Sequence, residues 1–170
     1  MVRHAILLLA HERPRQLQTL LEELKHERVE VFVHLDAKTS HLFPKLGVRT
    51  IAEYDIVWGG HTMVEATLGL MAEASKTYKY HTYTLISGVD WPVKTISEIV
   101  SVLDSLPASL VDYWHDEDPS WHSRYRRYFF NEWRSRKPLN ALSRRLSAIL
   151  PDRKPPVKVW FGSQWWTLQD

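Results

Sequence analysis

The opening of the chain constrains its fold more than any other feature. His4–Ala10 (H-A-I-L-L-L-A) is an almost unbroken apolar run that stops at His11-Glu12-Arg13. Val29–Leu35 (V-E-V-F-V-H-L) alternates and is rich in β-branched residues. Between them Pro14 sits where a helix would begin, and Leu17, Leu20, Leu21 and Leu24 recur at helical spacing. A continuous apolar run fits a strand covered on both faces, and an alternating β-branched run fits its neighbour. The order predicts a β-α-β unit with parallel strands, joined by a right-handed crossover.

The pattern continues. Asp36–Leu46 reads as a polar loop, Val48–Ile51 as a brief strand and Tyr54–Gly60 as a loop closing in a glycine pair. A helix is expected from Thr62 to about Thr77, with Thr62 and Glu65 forming a capping box at its start. Tyr80–Ser87 reads as a strand, Gly88–Pro92 as a turn, Ile96–Leu106 as a helix stopped by Pro107, and Leu110–Trp114 as a strand. His115–Pro138 carries no clear periodicity. Leu139–Leu150 is an amphipathic helix, and Val157–Phe161 and Gln164–Leu168 are strand-like. Alternating strands and helices over 170 residues predict one α/β domain, residues 1–170, built on an open sheet flanked by helices.

Several functional classes are disfavoured at once. With 44% hydrophobic and 25% charged residues the composition is that of a globular domain. No apolar run reaches the ~18 residues of a membrane span, and the N-terminal run is too short for a secretory signal. Absence of cysteine removes disulfides and thiolate metal sites, and a cytoplasmic location is expected. There is no glycine-rich phosphate loop and no G-x-S-x-G elbow. The nine histidines show no zinc-binding spacing.

Charge is unevenly spread. Residues 1–123 hold 11 Lys/Arg against 17 Asp/Glu, whereas residues 124–158 hold 11 against 2. The basic segment, with its interleaved Tyr125, Tyr128, Phe129, Phe130 and Trp133, suits an anionic partner or a solvated basic helix.

Ligands of open α/β sheets bind beyond the carboxyl ends of the strands. There lie His11, Glu12 and Arg13 after the first strand, Asp36 and Lys38 after the second, Trp58 with Gly59-Gly60 after the third, and Gly88 and Asp90 after the fourth.

Five segments in order resemble one family. Ile6–Pro14 (I-L-L-L-A-H-E-R-P), Val33–Ser40 (V-H-L-D-A-K-T-S), Val57–Ala66 (V-W-G-G-H-T-M-V-E-A), Leu85–Lys94 (L-I-S-G-V-D-W-P-V-K) and Gly162–Leu168 (G-S-Q-W-W-T-L) look like successive motifs of the core-2/I-branching N-acetylglucosaminyltransferases. That family also includes peptide O-xylosyltransferases, and the chain is more similar to its short bacterial members. The resemblance implies a GT-A-like, Rossmann-like open mixed sheet, a UDP-sugar donor, and transfer with inversion, of N-acetylglucosamine by expectation, to a glycan or hydroxyl acceptor. It also implies no cofactor and no divalent metal, with Arg and Lys side chains beyond residue 170 neutralising the diphosphate.

By position, Asp36 matches the aspartate that contacts uracil and Trp58 the aromatic residue near the nucleotide, with Leu9, Ala10 and His11 as the pocket floor. Asp36 could instead end a strand in a turn, Trp58 could fill a core, and Lys38 reads as a surface lysine. Asp90, Glu117, Arg124 and Arg127 are acceptor-side candidates. Asp116-Glu117-Asp118 spells an Asp-x-Asp pattern but follows no strand at the expected place, and reads as a loop triplet rather than a metal site.

Inverting transfer needs a base to take the acceptor's proton. In the family this is a glutamate downstream of the fifth motif, hence beyond residue 170, and no residue here inherits the role. The sheet is therefore expected to be incomplete at its C-terminus, the chain weakly active or inactive alone, and its apolar surface prone to self-association. Two rival functions are a non-catalytic module binding UDP-sugar or glycan, and a nucleic-acid binder using residues 124–158. The acidic front half disfavours nucleic acid.

Overall fold

The computed structural model describes residues 2–114, 119–130, 137–154 and 158–170. In chain order the elements are β1 His4–Ala10, α1 Pro14–Glu23, β2 Val29–Leu35, β3 Arg49–Ile51, α2 His61–Thr77, β4 Thr82–Ser87, α3 Ile96–Asp104, β5 Leu110–Trp114, α4 Pro119–Arg126, α5 Lys137–Ile149 and β6 Phe161–Gln169. One six-stranded sheet runs in the order β3-β2-β1-β4-β6-β5. β1 pairs in parallel with β2 and β4, and β2 with β3. β6 enters antiparallel between β4 and β5, so the sheet is mixed, as expected for a GT-A-like open sheet flanked by helices.

The apolar run of β1 is explained by its central place. Its residues are buried except for half-buried Leu9, and they feed two cores. On one face Ile6, Leu8 and Ala10 meet Leu17, Leu20, Leu21 and Leu24 around α1, together with Val31 and Val33 of β2. On the other face Ala5 and Leu7 meet Phe32, Leu85, and Leu70 and Ala74 of α2. Alternation in β2 divides Val31 and Val33 from Phe32 in the same way. At the amino rim, fully buried His4 donates through Nε2 to Asp104 Oδ1 at 3.2 Å and shares a hydrogen bond through Nδ1 with Thr82 Oγ1 at 2.9 Å, while Arg28 pairs with the same carboxylate. Burial pushes the His4 imidazole below its ordinary value, although Asp104 opposes that shift.

Two local expectations are corrected. Thr62 does not cap α2: the helix starts at His61 behind Gly60, and the Thr62 hydroxyl accepts the Val57 N–H at 3.0 Å, closing the preceding loop instead. A capping box forms on α3, between Thr95 and Glu98. Of the two strand-like segments at the end, Gln164–Leu168 lies within one strand, β6, which only Phe161 of the other enters; residues 158–160 precede it and Val157 lies outside the described residues. The pairing of β6 with β5 is irregular between Val111 and Tyr113. The unassigned stretch contains α4, too short and too polar to show an apolar period.

Candidate functional site

At the carboxyl ends of β1, β2 and β4, a cavity of about 250 Å³ opens between the sheet and the start of α2. Leu9, Ala10 and His11 form part of its lining, as do His34, Asp36, Trp58 and Ser87. A larger, more open cavity of about 1110 Å³ lies at the other end of β2, beside the close of α1. Of its charged lining residues, Glu22, Lys25, Glu30 and Arg49 are already engaged in ion pairs, and Lys45 is in none among the described residues. The smaller cavity is the one with convergent polar groups at strand ends, where open α/β sheets bind ligands.

Asp36 is buried there, 6% exposed, and its side chain makes the most hydrogen bonds of the polar lining residues. Its main-chain N–H donates to Ala10 O at 2.9 Å, so the last ladder bond between β1 and β2 places it at the cavity floor. Its Oδ1 accepts the N–H groups of Lys38 at 3.1 Å and Ile56 at 3.2 Å. Lys38 Nζ lies 3.2 Å from Oδ2 and also donates to Ile56 O. A carboxylate has about four acceptor sites, so these contacts leave capacity for a ligand N–H. Lys38, read from sequence as a surface lysine, braces the loop that carries Ile56.

Beside Asp36, His34 is 1% exposed, stacks on Tyr54 at 5.8 Å and accepts the Tyr54 N–H through Nε2 at 3.4 Å. Burial pushes its imidazole below the ordinary range, against the pull of Asp36 and Glu53. His34 is thus a neutral acceptor that fixes the far side of the loop. Val57–Gly60 turns tightly, with the Gly60 N–H on Val57 O at 2.8 Å and Gly59 at φ 71°, a conformation that favours glycine. Trp58 rides on that turn, 77% exposed, which overturns a core-packing role. The His11 carbonyl accepts the Thr39 hydroxyl at 2.8 Å, tying the β1 end to the β2 loop.

Gly88 completes the floor. A Cβ there would stand 2.8 Å from Ala10 Cβ and 3.3 Å from Ala10 Cα, so only glycine permits the approach of β4 to β1. The Asp90 carboxylate accepts the Ser87 N–H at 2.8 Å, closing the turn after β4, and Asp90 does not line the cavity. Arg124 and Arg127, exposed at the end of α4, do not line it either. Glu117 and the Asp116-Glu117-Asp118 triplet lie outside the described residues. Among the described residues no three His, Cys, Asp or Glu side chains cluster as a metal site, and no helix is long and apolar enough to cross a membrane.

Sequence reasoning missed His34, Ile56, Met63, Ser87, Gln164 and Trp165 as lining residues. His34 could have been found: it shares a strand face with Phe32, two residues before Asp36. Gln164 and Trp165 could not, because only the antiparallel insertion of β6 beside β4 brings them to this edge.

Comparison with known proteins agrees with this architecture. The family model described as "Core-2/I-Branching enzyme" matches residues 5–169. Rat (Rattus norvegicus) xylosyltransferase 2 is similar, 28% identical over 116 residues that make up 61% of this chain and 13% of the rat protein. The dog (Canis lupus familiaris) xylosyltransferase 2 is 27% identical over 115 residues, covering 60% of this chain and 13% of that protein. The mouse (Mus musculus) xylosyltransferase 2 is 26% identical over the same length, with the same coverage. The similarity thus spans about one-eighth of each of these relatives.

Proposed function

The chain belongs to the core-2/I-branching enzyme family of glycosyltransferases, and on that premise we propose that it carries the donor site of an inverting enzyme using a UDP-sugar. Asp36 accepts the N3–H of uracil, Trp58 covers the nucleotide, and Leu9, Ala10 and His11 form the floor under it. A cavity of about 250 Å³ is somewhat smaller than the ~300–1,000 Å³ typical of whole-ligand pockets. In this reading it takes the base and ribose, while the diphosphate and sugar extend past Ser87 and Trp165.

The observation that carries the proposal is the Asp36 carboxylate, fixed by two backbone donors at a strand end yet lining a cavity. Fixed cations, rather than a divalent ion, neutralise the diphosphate in this proposal. The sugar is N-acetylglucosamine, passed to a glycan or hydroxyl acceptor. Xylose is the second reading, favoured by the names of the similar proteins.

Calorimetry with UDP, UDP-N-acetylglucosamine and UDP-xylose in excess EDTA, with product analysis of each mixture, tests this reading. Binding of UDP in EDTA supports the donor site, and the tighter of the two sugar nucleotides identifies the donor. No heat with any of the three removes the proposal.

A further inference from the structure

The charge asymmetry acquires a structural form. In the front of the chain most cations are paired: Arg3 and Arg49 with Glu30, Lys25 with Glu22, Arg28 with Asp104, Lys38 with Asp36, Lys76 with Glu73. Among the described residues, Arg126, Arg153 and Lys158 have no carboxylate partner. Two of them are parked over rings, Arg153 Cζ 5.4 Å from the Tyr128 centroid and Lys158 Nζ 4.6 Å from that of Trp160. A ring face orients a cation without neutralising it.

The segments that carry these groups are joined to one another. The Arg153 N–H donates to Arg126 O at 2.7 Å, joining the 151–154 loop to the end of α4. Tyr125 meets Phe161 at 6.3 Å, joining α4 to the start of β6, and Trp160 meets Tyr113 of β5 edge-on at 5.6 Å. Tyr113 is 62% exposed and Trp160 50%. From Phe161, β6 leads to Gln164 and Trp165 in the cavity lining, roughly 10 Å away at ~3.3 Å per residue. The track and the donor cavity therefore lie along one strand.

We propose that this track binds an anionic glycan and that the acceptor of the enzyme belongs to that class, an inference that rests on the donor-site reading above. Carboxylate or sulfate groups of the glycan meet Arg126, Arg153 and Lys158, and apolar C–H faces of its sugars lie against Tyr113 and Trp160. The acidic front half confines such a chain to this end of the sheet, which separates a short charged glycan from a long nucleic acid.

The test uses the whole chain and three probes: a galacturonic acid hexamer, maltohexaose as a neutral hexamer, and a thymidine oligonucleotide, each followed by calorimetry, with UDP titrated into the same preparation. The uronate should bind and maltohexaose should not. Combined Arg126→Gln, Arg153→Gln and Lys158→Gln substitutions should weaken uronate binding about tenfold, the summed effect of three exposed ion pairs, and leave UDP affinity unchanged. Trp160→Ala should weaken it as well. Equal binding of both hexamers, no effect of the substitutions, or preference for the oligonucleotide would overturn the proposal. UDP binding without uronate binding sinks this inference alone, whereas absence of UDP binding removes the donor-site reading beneath it.

Discussion

The carboxylate of Asp36 accepts the main-chain N–H of Ile56 at 3.2 Å, across twenty residues of sequence. This contact holds the loop bearing Trp58 over the end of β2, so one side chain both lines the cavity and shapes its rim. Asp36→Ala leaves the Lys38 and Ile56 N–H groups without their acceptor, and a loss of about 1–3 kcal/mol is expected in urea unfolding. Asp36→Asn retains an oxygen for both donors and should lose less. Equal losses would show that shape, not the retained acceptor, matters.

Trp58 should separate binding from stability. Being 77% exposed, its replacement by alanine is expected to change stability by less than about 0.5 kcal/mol. Base–aromatic stacking contributes about 1–3 kcal/mol, so UDP affinity should fall roughly five- to 150-fold. Thermal unfolding and UDP titration of Trp58→Ala give both numbers. A variant that binds UDP as well as the parent would remove Trp58 from the site.

Gly88, just past the end of β4, sits against Ala10 of β1. Gly88→Ala places a methyl 2.8 Å from Ala10 Cβ, and overpacking of this kind typically costs about 1–3 kcal/mol. Adding Ala10→Gly removes the nearest atom and should restore part of the loss. Contacts with Ala10 Cα at 3.3 Å and Leu8 Cδ2 at 3.4 Å would remain. Strictly additive losses in the double variant would contradict the contact.

Stability should fall on mild acidification. Burial holds the His4 and His34 imidazoles below the 6.5 they have when exposed. The unfolded chain therefore takes up these protons first, so the contribution is complete above about 6.5 and is lost as pH falls through the folded values. Asp104, held below 3.8 chiefly by its hydrogen bond with Arg28, adds a loss in the same direction at lower pH. Urea midpoints at pH 7.5, 6.5 and 5.5 should decline, and His4→Gln should reduce the decline. A midpoint that rises toward pH 5.5 would reverse the assigned shifts.

The sequence carried the parallel half of the fold because each of its signals is local. The β1 run, the leucines of α1 and the alternation of β2 each report burial within one element. Asp36 and the floor residues could be placed for the same reason, since they lie at strand ends, whereas Trp58, on the Val57–Gly60 turn beyond β3, was marked by the glycine pair beside it. The antiparallel return of β6 was not readable, because β4–β6 pairing joins residues more than eighty positions apart. With it went Gln164 and Trp165. Thr62 was misjudged as a cap because a hydroxyl can serve a helix N-terminus or a loop N–H equally well, and only the Val57 turn decides between them.

The claim that Asp36 reads a pyrimidine is tested most directly by comparing UDP with CDP. Uracil presents an N3–H where cytosine presents an unprotonated acceptor, so the two ligands differ at the atom assigned to the carboxylate. The parent chain should bind UDP at least about tenfold more tightly than CDP, as expected when a buried charged acceptor loses its donor, and Asp36→Asn should abolish that preference. Equal affinity for UDP and CDP in the parent, or an undiminished preference in Asp36→Asn, would contradict the account.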